Sequence, residues 1–233
     1  MKAKELIYNL KTILLEAKSS LADYTDQHLM YMLDEARAIL AQRRLDKSEA
    51  VQQMTQILDL TPQIVSPSTL NEIGTVGNTR VLKLDIPQPV KFKNGEAIFT
   101  VGSTDGQDSY TKITYSQLRT VLYRKYTAES PKWFWFENSL YIINSEIDSR
   151  KKVRVRGIFS EPYRVVIANG KYKKLTPFDW EYPLSLNDAN TIYKIAFGQD
   201  LGWSDIAGNA IAQAEARQEA QQQKQSTQNA ETQ

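Results

Sequence analysis

The side chains that carry most enzyme chemistry are nearly missing from this sequence. It has no cysteine and one histidine, His28. Disulfides, thiolate nucleophiles and cysteine-based zinc sites are therefore excluded. His28 has no second histidine, cysteine or carboxylate at metal-ligand spacing, so a structural or surface role fits it better than ligation. No Gly-rich phosphate loop occurs. The stretch Ser103-Thr104-Asp105-Gly106-Gln107-Asp108 sets two carboxylates beside a glycine, as part of a calcium loop would. It lacks the regular ligand spacing and the bidentate glutamate, and reads as a Gly-turned surface loop. Glu137, Glu146 and Asp148 have the right chemistry for an acid/base pair. Nothing places them in one cleft, and they read as solvated strand ends. The expectation is a non-enzymatic chain with no catalytic, metal or cofactor site.

Two other clusters suit binding better than catalysis. Arg150, Lys151, Lys152, Arg154 and Arg156 form the strongest basic run. In a strand, alternate residues share a face, so Lys152, Arg154 and Arg156 point the same way. With Lys171, Lys173 and Lys174 they form either a solvated outer sheet face or a positive patch for phosphates. One version of the second reading is a patch lining the lumen of a DNA-conducting ring. The candidate DNA-facing residues are Lys152, Arg154, Arg156 and Lys174. The run Trp133-Phe134-Trp135-Phe136 offers aromatic rings to both sides of a strand. It is either a central strand buried on two faces, or a strand with one face in the core and the other in a subunit interface, where aromatics are enriched. Trp133 and Trp135 are thus candidate interface residues, as are Ile206, Ile211 and Arg217 near the C-terminus.

The elements that must position these residues follow from patterning. The chain has 233 residues, 41% of them hydrophobic, and a net charge of +2 from 29 basic and 27 acidic side chains. That near balance argues against a dedicated nucleic-acid protein. The first 20 residues lack the continuous apolar core of a secretory signal. No stretch approaches the roughly 18 apolar residues of a membrane span.

Leu6, Leu10, Ile13, Leu14, Ala17 and Leu21 make the apolar stripe of a first helix. Leu29, Leu33, Ala36 and Leu40 repeat it in a second, capped by Thr25 or Asp26, and the short connection predicts a helical hairpin. Ser48–Ile64 is open: Val51, Met54, Ile57 and Leu58 fit a third helix, and Leu58–Val65 equally fits a strand interrupted by Pro62. Residues 66–78 read as a loop.

Strands follow: Val81–Leu84, stopped by Pro87 and Pro89, and Ala97–Val101 after the turn Asn94-Gly95. Thr114 can cap a short helix, Tyr115–Tyr123. Lys132–Phe136, Ser139–Asn144 and Lys151–Ile158 read as three consecutive strands of a sheet with one wet face, the first two joined by a tight turn at Glu137-Asn138. Ser185 or Asn187 can cap a helix over Asp188–Phe197, and a last helix can run from Ser204 toward Lys224. Beyond about Gln221 nothing is available to pack, which predicts disorder in isolation.

The predicted fold is α+β: an N-terminal helical hairpin or bundle, an antiparallel β-rich domain, a C-terminal helix and an extended tail. The predicted domains are a helical region over 1–65, a β-rich domain with a short inserted helix over 66–183, C-terminal helices over 184–221 that complete the helical part, and a Gln-rich tail over 222–233.

Several segments together resemble the head-to-tail connector proteins of short-tailed phages, particularly those of the crAss-like group. They are IYNLKTILLEA, TDQHLMYMLDEARAILAQRR, ITYSQLRTVLYRKYTAESPKWFWFENSLYII, VRVRGIFSEPYRV and EYPLSLNDANTIYKIAFGQDL, in that order. No one of them is a catalytic fingerprint; the combination carries the resemblance. It departs at Ser160-Glu161-Pro162, where relatives tend to have an acidic pair, and in the Gln-rich end.

The resemblance implies a structural virion protein made in the host cytoplasm and placed in the head-tail neck. It would be an adaptor ring of about twelve copies closed by a repeated heterologous contact. Its implied partners are the portal protein, other neck and tail ring proteins, and packaged DNA passing non-specifically through the lumen, with no membrane and no cofactor. The alternative is a monomeric nucleic-acid-binding accessory protein that uses the basic strand face.

Overall fold

The computed structural model describes residues 1–16, 24–66, 81–118, 120, 130–143, 151–170 and 178–200, the last three without their side chains. Among these residues the fold is α+β. The chain divides into two compact units, Met1–Arg44 with Leu175–Gln233, and Leu45–Lys174.

The first unit is helical. α1 spans Ala3–Glu16 and α2 Asp26–Asp46, whose last two residues already belong to the second unit. Their buried faces follow the expected stripes: Leu6, Leu10, Ile13 and Leu14 on α1, and Leu29, Leu33, Ala36 and Leu40 on α2. Ala17 and Leu21 lie outside the described residues. Thr25 starts α2 as expected, its hydroxyl accepting the His28 N–H at 3.2 Å.

α1 is capped from far along the chain. The Ala3 and Lys4 N–H groups donate to the carbonyls of Trp180 and Phe178, each at 3.0 Å. These are donors that no helix can satisfy internally. The last described helix, α4, spans Leu186–Asp200, longer at both ends than Asp188–Phe197. The Ser185 hydroxyl accepts the Asn187 N–H at 3.1 Å, so Ser185 serves as its cap.

The helical unit also buries polar groups; the Trp180 indole N–H finds no hydrogen-bond partner among the described residues. The Tyr182 hydroxyl donates to Asp34 at 2.8 Å. The Arg37 guanidinium, fully buried, lies 5.9 Å from the centroid of the Tyr182 ring. Arg44 grips the Asp188 carboxylate with both terminal nitrogens, one at 2.9 Å. Burial holds the Tyr193 phenol up at about 12.

The second unit is two sheets face to face. β1 (Gln56–Leu60), β10 (Val153–Gly157) and β6 (Ile98–Ser103) form an antiparallel sheet with β10 in the centre. β2 (Gln63–Ile64), β3 (Val81–Leu84), β9 (Ser139–Ile143), β8 (Lys132–Phe136) and β7 (Thr111–Lys112) form the other, with only β7 and β8 parallel. A two-stranded ribbon, β4 (Lys91–Phe92) and β5 (Gly95–Glu96), turns at Lys93-Asn94, one residue before the expected Asn94-Gly95, with Gly95 opening β5 opposite Phe92.

Leu58, Val101, Val153 and Val155 from the first sheet meet Leu82, Leu84, Trp133, Leu140 and Ile142 from the second in one core. Val165, from the helix α3 (Pro162–Ala168), joins them. The far face of the five-stranded sheet carries its own cluster, which includes Val65, Val81, Phe134, Tyr141 and Ile143.

Two expectations change here, and one open choice falls to its strand alternative. The ambiguous stretch before Ile64 is not a third helix: a 3-10 turn, Gln52–Met54, leads into β1 and β2, which flank Pro62. Lys132–Phe136, Ser139–Ile143 and Val153–Gly157 are all strands, but they do not share a sheet, because β10 crosses to the other layer. β9 has no wet face; every residue from Ser139 to Ile143 is buried. Layers are packed on both sides of it, so alternation was the wrong pattern to expect. The turn between β8 and β9 is as read: Glu137 and Asn138 both have positive φ, 42° and 59°, as a two-residue hairpin requires. Thr114 opens the 3-10 turn Tyr115–Gln117 with a reciprocal capping box. The end of the predicted 115–123 helix lies outside the described residues.

Candidate functional site

Among the described residues no group of His, Asp and Glu side chains has metal-ligand spacing. His28 is exposed, its ring tilted against Tyr24 at 5.7 Å. The Ser103–Asp108 loop ties up its own carboxylate. Asp105 accepts from the Ser103 hydroxyl and from the Gln107 N–H at 3.1 Å. The Ser103 hydroxyl bond chiefly holds the Asp105 carboxyl below its usual range. A Cβ on Gly102 would sit 2.2 Å from the Asp108 carbonyl oxygen, so that position admits only glycine as the hairpin closes. Glu137 lies in the β8–β9 turn; Glu146 and Asp148 lie outside the described residues.

The basic run meets the outer face of the three-stranded sheet. On β10, Val153, Val155 and Gly157 are buried and Arg154 and Arg156 point out, as the alternation predicts. Lys152, just before the strand, is exposed. The cations differ in state. Arg154 makes a two-pronged pair with Asp59 of β1, Nε to Oδ1 at 2.8 Å and an NH2 group to Oδ2 at 2.9 Å. These two residues face each other in the β1–β10 register. The Arg154 hydrogen bond is the main reason the Asp59 carboxyl titrates below its ordinary range. Arg156 stands opposite Ile57 on one side and Thr100 on the other, and it makes no ion pair among the described residues. Lys174 lies outside the described residues.

The aromatic run has both faces occupied by its own chain. Trp133 is 2% exposed in the core between the sheets, with the Lys112 ammonium 5.3 Å from its ring centroid. Trp135 is half-buried against the same core. On the other face Phe134 stacks on Tyr141 at 5.4 Å, and Phe136 stacks on Tyr115 at 4.5 Å with rings 15° apart. Ile206, Ile211 and Arg217 lie outside the described residues.

Sequence reasoning missed two features at this surface. Asp59 reads as an ordinary strand acid until the register sets it against Arg154. Asn169 reads only as part of a turn. In the fold its side chain bonds the free edge of β1, accepting the Asp59 N–H at 3.0 Å and donating to the Ile57 carbonyl at 2.8 Å. The asparagine before a glycine was a turn signal; no sequence signal specified the strand it would meet.

The fold and these surfaces define an α+β protein whose distinctive features are patterned surfaces, the class expected of a structural assembly component. The chain matches the family described as phage tail ring protein 2 over residues 5–205, and it belongs to that family. It is a ring protein of crAss-like phage tails, a structural protein of the virion. No curated protein matches it.

Proposed function

We propose that this chain forms the adaptor ring that docks on the portal, joins the phage head to the tail in the neck, and extends the channel through which packaged DNA passes. The observation that carries this reading is the family match, which spans both the helical and the β-sandwich units. A ring in that position takes the copy number of the portal, about twelve, through one heterologous contact repeated until it closes. Its work is scaffolding, with no catalytic step. Ile206, Ile211 and Arg217 belong to the stretch that grips the portal or a neighbouring ring protein. Coupled ordering lets a polar segment with few apolar residues bind a large surface. A monomeric nucleic-acid-binding role is less well supported, because Arg154, at the centre of the proposed basic face, is already neutralised by Asp59.

Quantitative mass spectrometry of purified phage particles tests the reading. The chain is expected at a one-to-one ratio to portal protein. Its absence from particles, or a few copies per particle, would overturn the adaptor-ring assignment.

A further inference from the structure

The two-sheet unit leaves large apolar side chains exposed on both of its outer faces. On the three-stranded sheet Ile57 is 49% and Phe99 40% exposed. Phe99 is there because the β6–β10 register shifts beside Arg156, so Phe99 and Thr100 are both exposed between the inward-facing Ile98 and Val101. Bulges turn side chains outward in this way. Arg156 stands between the β1 and β6 positions, exposed. On the five-stranded sheet Tyr115 is 43% exposed and stacked on half-buried Phe136.

Alternation sets these patches on opposite sides. Leu58, Val101, Val155 and Trp133 point into the core between the sheets. Their neighbours Ile57, Thr100 and Arg156 point away on one side, and Phe134 and Phe136 on the other.

We infer that the Ile57–Phe99–Arg156 face of one copy docks on the Tyr115–Phe136 face of the next copy of this chain. The inference rests on the ring reading and adds the surfaces that would close the ring. A heterologous contact needs two different patches on one subunit, arranged so that each copy offers the second to a neighbour while using the first. Opposite faces of one sandwich meet that requirement. The chemistries are complementary: a guanidinium set among apolar side chains fits an aromatic face, where cation and ring attract once water is excluded. Arginine and aromatic residues are also the types enriched at interface cores.

Three competing arrangements fit less well. Joining by strand addition at β1 is blocked, because Asn169 already occupies that edge. Pairing the basic face with itself would set Arg156 against Arg156. Turning that face to DNA in a channel would use the charges but leave Ile57 and Phe99 in water.

The test uses full-length chain. Because it has no cysteine of its own, only introduced thiols react. Ile57→Cys and Tyr115→Cys proteins are mixed and treated with a short bismaleimide. A cross-linked dimer is expected from the mixture, none from either variant alone, and a ladder from the double variant. Adding Arg156→Glu to the double variant should cut the ladder yield about tenfold or more, the size of an interface hot spot, with the circular dichroism spectrum unchanged. Oligomers seen by mass photometry without a 57–115 cross-link would overturn this docking and leave the ring reading intact. A strong cross-link from Ile57→Cys alone would mean a two-fold contact and overturn it too. A chain that stays monomeric and uncross-linked at every concentration would count against both.

Discussion

At the scale of single residues, the outer sheet face is a place where identical charges do different work. Arg154 and Arg156 lie on one face of one strand, yet the first is held by Asp59 and the second is not. The side chains of Arg154 and Asp59 are 43% and 32% exposed, so solvent screens their pair and its contribution is small. The pair also dictates a pH dependence. Asp59 titrates below its ordinary value in the folded chain. Its contribution is therefore complete above the unfolded value of about 4 and is lost as the pH falls through the lower, folded value. Asp59→Asn should lower stability by a small amount at neutral pH in urea unfolding. The gap to the parent chain should shrink below about pH 4 and narrow with added salt. A gap that stays constant down to strongly acid pH would show that the charge on Asp59 is not its source.

Among the elements, β1 is the one whose boundary depends most on a residue far along the chain. It is an edge strand, and edges expose unpaired N–H and C=O groups that invite other strands. Here Asn169, just beyond α3, places its amide as a substitute strand and satisfies one donor and one acceptor. α3 itself, with Pro162 in its first turn and Val165 in the core, keeps Asn169 at that edge. Asn169→Ala removes both bonds at a half-buried site, at a cost of about 1–2 kcal/mol. Hydrogen exchange should locate the loss: the Asp59 amide should exchange much faster, while the amides of β9, buried throughout, keep their protection. Equal acceleration in β1 and β9 would mean that the edge opens only with the whole sheet.

For the whole molecule, the division into units decides which parts can exist alone. Leu45–Lys174 is one continuous stretch with its own two-layer core. Met1–Arg44 is not self-sufficient. α1 takes caps from Phe178 and Trp180, α2 packs its buried Asp34 against Tyr182, and Arg44 closes on Asp188. A fragment spanning 45–174 should show a β-type circular dichroism spectrum and a single cooperative unfolding transition, whereas a 1–44 peptide should be largely unfolded at the same temperature. A folded 1–44 peptide would mean that the return of the chain after residue 174 is dispensable to the hairpin.

The sequence determined what depends on near neighbours. The stripe from Leu6 to Leu14, the Thr25 cap, the hairpin turn at Glu137-Asn138 and the outward set of Arg154 and Arg156 all follow from periods and turn chemistry within a few residues. The order of its segments also carried the resemblance to phage ring proteins. Only tertiary structure decided which strands share a sheet. A run such as Ser139–Ile143 is apolar enough for either a half-wet or a buried strand, and the choice lies with what packs on its two faces, the sheet of Val153–Gly157 on one and Val65, Ile113 and Leu118 on the other. The same holds for the charges: whether a guanidinium is spent or available depends on the residue across the ladder, and the β1–β10 register that pairs Arg154 with Asp59 is set by long-range packing that no local pattern encodes.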